Sequence, residues 1–330
     1  MVIVSHTRTA WRERTLGCLR ALVGWLLVAC GVWSIGRLCG CDRFPLLAGV
    51  LVPILAFTPY AAMASVMVTV GATAMRRWTI AGVALAVVGA FAVAVLPRAV
   101  GNTVPTTRGP VFRILTMNLH FGQTNAEMLV DLVRRLRVDV LSVQDLSPQT
   151  AAAFVRDGLG ALLPFKVTAL IGSSGSGLYS RYRLHELPMP PLAVTGPAMP
   201  RADVDVPTTG KVEVRSVHLA RPVDPAGVEQ WIRGFSWLPP GRPHQAVRIM
   251  AGDFNATLDH ASLRRLLASG YVDAAAAVGA GLIPTYRQRL WPPITIDHVL
   301  VDAVCAVRRV AVYNLPRSDH GALFAELRLP

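Results

Sequence analysis

Polar side chains gather at six strand ends in the second two-thirds of this 330-residue chain: Asn118, Asp145, His218, Asp253 with Asn255, Asp297, and Asp319 with His320. Taken singly, each has a plain role. Asp253 and Asn255, in Gly252-Asp253-Phe254-Asn255, can shape a turn. Asp145, just ahead of Ser147-Pro148, can cap a helix. Asp319-His320 can be a solvated loop pair, and His298 reads as packed on its strand rather than as a metal ligand. As a set, with little other charge around them, they supply what a carboxylate, amide and imidazole site needs. Carboxylates align or deprotonate water, and imidazoles exchange protons near neutral pH.

The elements that must position these groups follow from the pattern between them. Val111–Met117 alternates and is β-rich, so it reads as a strand presenting Asn118. Asn125–Arg137 carries apolar residues at helical spacing (Met128, Leu129, Leu132, Val133, Leu136), and Val138–Val143 reads as a second strand ending at Gln144-Asp145. Further strands are expected at Gly177–Ser180, Val212–Leu219, Val247–Ala251, Ile296–Val301, Arg308–Tyr313 and Leu323–Leu327, and a helix at Ala261–Ala268. That mixture implies an α/β sandwich around a buried β core.

In chain order, Met117-Asn118, Gln144-Asp145, Gly177-Leu-Tyr-Ser-Arg181, Val217-His218-Leu219, Gly252-Asp253-Phe254-Asn255-Ala256, Ile296-Asp297-His298-Val299 and Ser318-Asp319-His320 resemble the motifs of the endonuclease/exonuclease/phosphatase superfamily. The resemblance covers essentially all of residues 111–330. It implies a four-layer α/β sandwich of two mixed β-sheets flanked by helices, and a divalent-metal-dependent phosphodiesterase. By the same resemblance Asp145 is the main metal ligand, helped by Asn118 and Asp319. Asp253 and Asn255 handle the attacking water, Asp297 orients His320, and His218 contacts the scissile phosphate. Oxygen donors without thiolates suit Mg²⁺ or Mn²⁺. Two departures stand out: Asp145 occupies a position that is usually Glu in the family, and residues 158–176 contain no acid that could orient His218.

The first third is different in kind. Residues 1–110 hold ten Arg and two acidic residues, against 23 Lys/Arg and 18 Asp/Glu in residues 111–330, so most of the +13 net charge belongs to the first third. The charge pattern therefore selects neither nucleic acid nor lipid. Four of five cysteines (Cys18, Cys30, Cys39, Cys41) lie in this third, and Cys39-Gly-Cys41 reads as a loop. Thr15–Ile35, Phe44–Met75 and Thr79–Leu96 are apolar, the lengths expected of membrane spans, although the first could also be a signal peptide. The organisation expected is a cytoplasmic N-terminus (1–14), a three-helix transmembrane segment (15–97, helices at about 15–36, 45–74 and 78–97), a linker (98–110) and a catalytic domain (111–330).

Arg8, Arg12, Arg14 and Arg76-Arg77 put both of their flanks in the cytoplasm, leaving a multi-pass cell-membrane protein with its catalytic domain outside. A hairpin broken at Pro59 within the middle stretch would reverse that side. The partners expected are the lipid bilayer and a phosphodiester substrate, nucleic acid or phospholipid, with no obligate protein partner. A catalytically silent binding module on the same fold is the competing reading, motivated by Asp145 and the unsupported His218.

Overall fold

The structure, a computed structural model, describes residues 3–101, 107–170, 172, 174–188, 198–241 and 246–330. The central part of the expected linker, residues 102–106, lies outside the described residues, as do the side chains of Arg8 and Arg12. The chain begins with α1 (Ile3–Cys39), a 3-10 turn (Cys41–Arg43), α2 (Pro45–Leu55), α3 (Thr58–Ala74), α4 (Trp78–Val95) and the short α5 (Pro97–Val100). β1 (Val111–Asn118), α6 (Ala126–Leu136), β2 (Val140–Leu146), α7 (Pro148–Arg156) and α8 (Leu159–Leu162) follow. Next come β3 (Phe165–Ala169), β4 (Gly175–Ser180), β5 (Leu184–Leu187), β6 (Arg201–Val206), β7 (Gly210–His218) and α9 (Pro225–Ser236). The chain closes with β8 (Arg248–Asp253), α10 (Ala261–Ala268), β9 (Tyr271–Asp273), α11 (Ala274–Ala277), β10 (Asp297–Asp302), β11 (Ala306–Asn314) and β12 (Gly321–Arg328).

These strands build two six-stranded mixed sheets, ordered β11-β12-β1-β2-β4-β3 and β5-β6-β7-β8-β10-β9. Each has one parallel pair at its centre, β1 with β2 and β7 with β8. The sheets face each other across a β-branched core that includes Ile114, Val140, Val214, Ile249, Val299 and Ala325. Alternating side chains on the outer faces bury against helices: α6 and α7 cover the first sheet through Leu129, Val133 and Phe154, and α9 and α10 cover the second through Trp231 and Leu263. One polar chain crosses the sheet interface. Gln144 Nε2 donates to Ser142 Oγ (2.9 Å) and Ser216 Oγ (3.0 Å), and Ser142 Oγ donates to Ala251 O (2.9 Å). A satisfied buried network of this kind fixes the relative register of the two sheets.

The apolar third contains two helices long and apolar enough to cross a membrane, Arg14–Cys39 and Trp78–Val95. The middle stretch, expected as one helix over 45–74, is two: α2 and α3 meet at an angle of 76°. Pro59 lies in the first turn of α3, where its missing N–H costs nothing, so the break falls just before it. α3 packs against α1 and α4 through Val23, Val68, Ala72, Ala81 and Ala84. Small residues at these contacts let helix backbones approach closely. α2 instead lies on the α/β domain, with Ala48 and Val52 in the cluster that holds Val217 and Trp231.

The helices and the domain are joined by ionic contacts. Arg37, near the end of α1, donates to Asp259 Oδ1 (2.9 Å), and Arg98 of α5 donates to both Asp259 oxygens. His260 Nε2 lies 2.7 Å from Val52 O, and Asp42 Oδ2 accepts from Ala261 N (2.8 Å). Burial would raise the Asp259 pKa, but the Arg98 and Arg37 guanidinium groups hold it below the usual carboxylate range.

Candidate active site

The two parallel strand pairs bring their C-terminal ends to the same edge of the sandwich. Asn118 ends β1, and His218 and Asp253 end β7 and β8 opposite one another in register. Asp297 opens β10 across from Asp253, and Asp319-His320 lie in the turn before β12. Gly252 makes the approach of β7 and β8 possible, because a Cβ there would meet Val217 O at 1.9 Å. Asn118, Asp145, His218, Asp253, Asp319 and His320 line one cleft of about 310 Å³. Of the expected site residues, Asn255 and Asp297 stand behind its wall rather than on it.

Asp253 is the hub. Its Oδ2 accepts from Asn118 Nδ2 (3.0 Å) and Asn255 Nδ2 (3.3 Å), and its Oδ1 accepts from the Asn255 N–H (2.8 Å). Burial raises its pKa against the pull of the His320 charge. His320 Nε2 lies 3.8 Å from Asp253 Oδ2, while its Nδ1 faces Asp297 at 2.9 Å. Burial alone would lower the His320 pKa, but the Asp297 and Asp253 carboxylates push it up to about 9. His320 is therefore an imidazolium at neutral pH, with Asp297 fixing the ring through Nδ1.

Across the cleft, Asp145 sits at a β-bulge between Gln144 and Leu146, with φ 53°. Its carboxylate is buried, and the only hydrogen bond it receives among the described residues is a long one from Phe121 N (3.5 Å). His218 Nδ1 lies 3.9 Å from Asp145 Oδ1 and is buried without a hydrogen-bond partner among the described residues. His120, Phe121 and Asn255 also have positive φ (48°, 54° and 46°). Such backbone strain collects where surrounding structure over-determines a site. Asp253, Asp297 and His320 each offer a donor atom within 4.8 Å of the others, a group that could hold a metal ion by spacing. The expected ligands Asn118, Asp145 and Asp319 are distributed along the same cleft.

Residues 115–320 match the Endonuclease/Exonuclease/phosphatase family. The chain belongs to that family. Its name is that of hydrolases acting on phosphoester bonds, and the two mixed sheets flanked by helices are its α/β fold. Solved structures repeat the fold at low identity. An endonuclease/exonuclease/phosphatase from Beutenbergia cavernae DSM 12333 is 18% identical, covering 67% of this chain and 72% of that one, with a TM-score of 0.50. A humanized D. rerio TDP2 is 15% identical over 66% and 99% of the two chains, with a TM-score of 0.51. An AP endonuclease from Archaeoglobus fulgidus is 14% identical over 65% and 98%, also with a TM-score of 0.51. No curated protein matches the sequence.

In and behind this endonuclease/exonuclease/phosphatase cleft, three residues escaped assignment from sequence. His120 follows Asn118 and points its Nδ1 at Asp319 Oδ1 (2.7 Å); its place after the first strand was the available signal. Tyr286 packs its ring 4.7 Å from that of His320, and burial followed by the Asp319 charge pushes its pKa to about 12. Nothing local marks Tyr286, which sits in an irregular segment and reaches the site through isolated bridges to Ile294 and His320. Arg221 lines the cleft beyond the end of β7. His298 takes the packing role expected of it: Nδ1 faces Asp273 Oδ2 and Nε2 faces Ala256 O, each at 2.7 Å.

Proposed function

We propose that the chain is a membrane-anchored phosphodiesterase that depends on Mg²⁺ or Mn²⁺, with its catalytic domain outside the cytoplasm. The observation that carries the reading is the pairing, in one cleft, of a hydrogen-bonded Asp253 and imidazolium His320 with an Asp145 carboxylate that is buried and nearly without partners. A buried carboxylate in that state needs a cation. Asp145 with the Asn118 amide oxygen, and Asp319 nearby, supply the hard oxygen donors that fit Mg²⁺ or Mn²⁺. A bound ion of this kind supplies charge stabilisation to phosphoryl oxygens.

The chain's own groups account for the remaining needs. Asp253, fixed by Asn118 and Asn255, aligns the attacking water and takes its proton. The raised Asp253 pKa makes it a better base than a solvated carboxylate. His320, oriented by Asp297, presents a positive N–H to a phosphate oxygen. His218, with Nδ1 unpartnered, is free to turn that nitrogen to the same phosphate.

The membrane reading rests on the apolarity of α1, α3 and α4. At about 1.5 Å per residue α2 is only about 16 Å long, short of a bilayer core, which favours three spans. Arg76-Arg77 then sit at the end of the bundle remote from the domain.

The test is hydrolysis of bis-p-nitrophenyl phosphate by the full chain in nanodiscs with Mg²⁺, Mn²⁺ or EDTA. Metal-dependent turnover that disappears in Asp253→Ala and His320→Ala is expected. Full turnover in both variants would overturn the site assignment, and a folded protein with no turnover would favour the binding module.

A further inference from the structure

The segment Arg287-Gln-Arg-Leu-Trp-Pro-Pro293 leaves and re-enters the domain between Tyr286 and Ile294, which close it with paired backbone hydrogen bonds (2.9 and 3.0 Å). At its tip Leu290 is 87% exposed and Trp291 62%. A soluble domain seldom leaves two large apolar side chains in water at the end of one loop. Their neighbours are the ends of the apolar helices: the Trp291 ring lies 5.9 Å from that of Phe57, and Tyr60 Oη donates to Pro293 O (2.7 Å). Phe57 and Tyr60 stand at the bend between α2 and α3, on the domain side of the bundle. α2 continues the same surface, turning exposed Leu47, Val50 and Ile54 away from the domain.

The base of this loop backs the cleft residues Asp319 and His320. Tyr286 packs on His320, Arg287 N donates to Asp319 O (2.8 Å), and Gly321 N donates to Thr285 O (2.7 Å). The exposed tip and the proposed catalytic imidazole are thus carried by one hydrogen-bonded unit. Between the loop and α3 lies a crevice of about 200 Å³, lined by Pro59, Tyr60, Met63, Leu282, Pro284 and Pro293.

We infer that the Arg287–Pro293 loop dips into the headgroup region of the bilayer that the helices cross, and that it sets the cleft to act on a phosphoester carried by a membrane lipid. Trp and Arg are the side chains suited to that depth: an aromatic ring at the boundary and a guanidinium reaching phosphate. The inference rests on the membrane-anchored phosphodiesterase reading and narrows its substrate. Nucleic acid fits less well, because Arg221 is the only Lys or Arg among the described residues lining the cleft. A polyanion is held by many phosphate contacts.

The test uses the full chain, its five native cysteines replaced, reconstituted in phosphatidylcholine/phosphatidylglycerol nanodiscs with Leu290→Cys carrying an environment-sensitive fluorophore. Quenching by lipids with a nitroxide near the headgroup, and protection from water-soluble iodide, is expected. Quenching by iodide alone would overturn the loop's contact with lipid. In parallel, Leu290→Ser/Trp291→Ser is compared with the parent on phosphatidylglycerol in the disc, on bis-p-nitrophenyl phosphate and on a single-stranded oligonucleotide. Lipid turnover should fall about tenfold or more as interfacial contact is lost, with bis-p-nitrophenyl phosphate turnover unchanged. Cleavage of the oligonucleotide but not the lipid would overturn the substrate assignment, and lipid turnover indifferent to the variant would overturn the loop's part in it. Inactivity on all three would sink the phosphodiesterase reading, while the quenching result would still decide the loop's position.

Discussion

Asp253 closes β8 and Asp259 lies in the short connection that follows, and the two face opposite ways. Asp253 turns into the cleft, where Asn118, Asn255 and His320 hold it. Asp259 turns away, to Arg37 of α1 and Arg98 of α5. The end of the domain that carries the cleft is therefore also the end that docks on the apolar helices. Only a few residues separate the two carboxylates, among them Phe254, which is fully buried.

Asp259→Ala should be costly. It leaves Arg37 and Arg98 facing a buried void, and removing one partner of a buried pair typically costs about 3–5 kcal/mol. Asp259→Asn should cost less, because the amide oxygen still accepts one guanidinium bond. Thermal unfolding of the full chain in nanodiscs checks this, and equal midpoints for parent and Asp259→Ala would mean that the joint contributes nothing. Turnover should fall alongside stability in Asp259→Ala, since the connection it anchors begins at Asp253.

His320 predicts the alkaline limb of activity. Its pKa is raised to about 9 by Asp297 and Asp253, so the imidazolium is present below that pH and disappears as pH rises through it. If the charged form acts on the phosphate, kcat/KM falls above about pH 9. In Asp297→Asn the largest of the supporting charges is gone, leaving Asp253 and Asp319, and the limb moves toward lower pH. A pH profile of bis-p-nitrophenyl phosphate hydrolysis for the two proteins checks this. Identical limbs would assign the titration to another group.

Most of the catalytic half was legible in its sequence, for a physical reason. β1, β2, β7, β8, β10 and β12 are central strands, so they read as strong apolar runs, and their ends must carry the polar residues. Elements further from the sheet centres gave weaker signals: β6, Arg-Ala-Asp-Val-Asp-Val, paired between β5 and β7, hides half its pattern in part-exposed Asp residues. α9 has Gly227 and Gly234 inside it, where backbones come close to Arg221 and Leu219. Tyr286 was invisible because only tertiary bridges place it. The bend between α2 and α3 was also unreadable from hydropathy, since α2 is apolar on its domain side and on its outer side alike.

Asp145 should be sensitive to length as well as charge. The bulge and positive φ at Asp145 aim a short carboxylate into the cleft, where Glu would reach about one methylene further. Asp145→Asn is expected to lose about 10²-fold or more in metal-dependent turnover and to weaken Mn²⁺ binding, as losses of ligating groups do. Asp145→Glu should keep activity but change the Mg²⁺ to Mn²⁺ activity ratio. Isothermal titration with Mn²⁺, alongside turnover, checks both, and an Asn variant that binds Mn²⁺ like the parent would remove Asp145 from the metal site.

The His298–Asp273 pair predicts a pH-dependent stability separate from catalysis. Both ring nitrogens of His298 face acceptors at 2.7 Å, so the ring is satisfied only when both carry protons. Burial works against the charge, but the hydrogen bond and charge of Asp273 outweigh it and raise the pKa above the ordinary value. A folded-state pKa raised in this way gives stability that is fully present below about pH 6.5, the unfolded value, and is lost as pH rises through the folded one. His298→Gln keeps one donor and loses the charge. It should therefore unfold at a lower temperature than the parent in mildly acidic buffer, with the gap narrowing as pH rises. Thermal unfolding at a series of pH values checks the sign, and a gap that widens with pH would show that His298 is buried neutral.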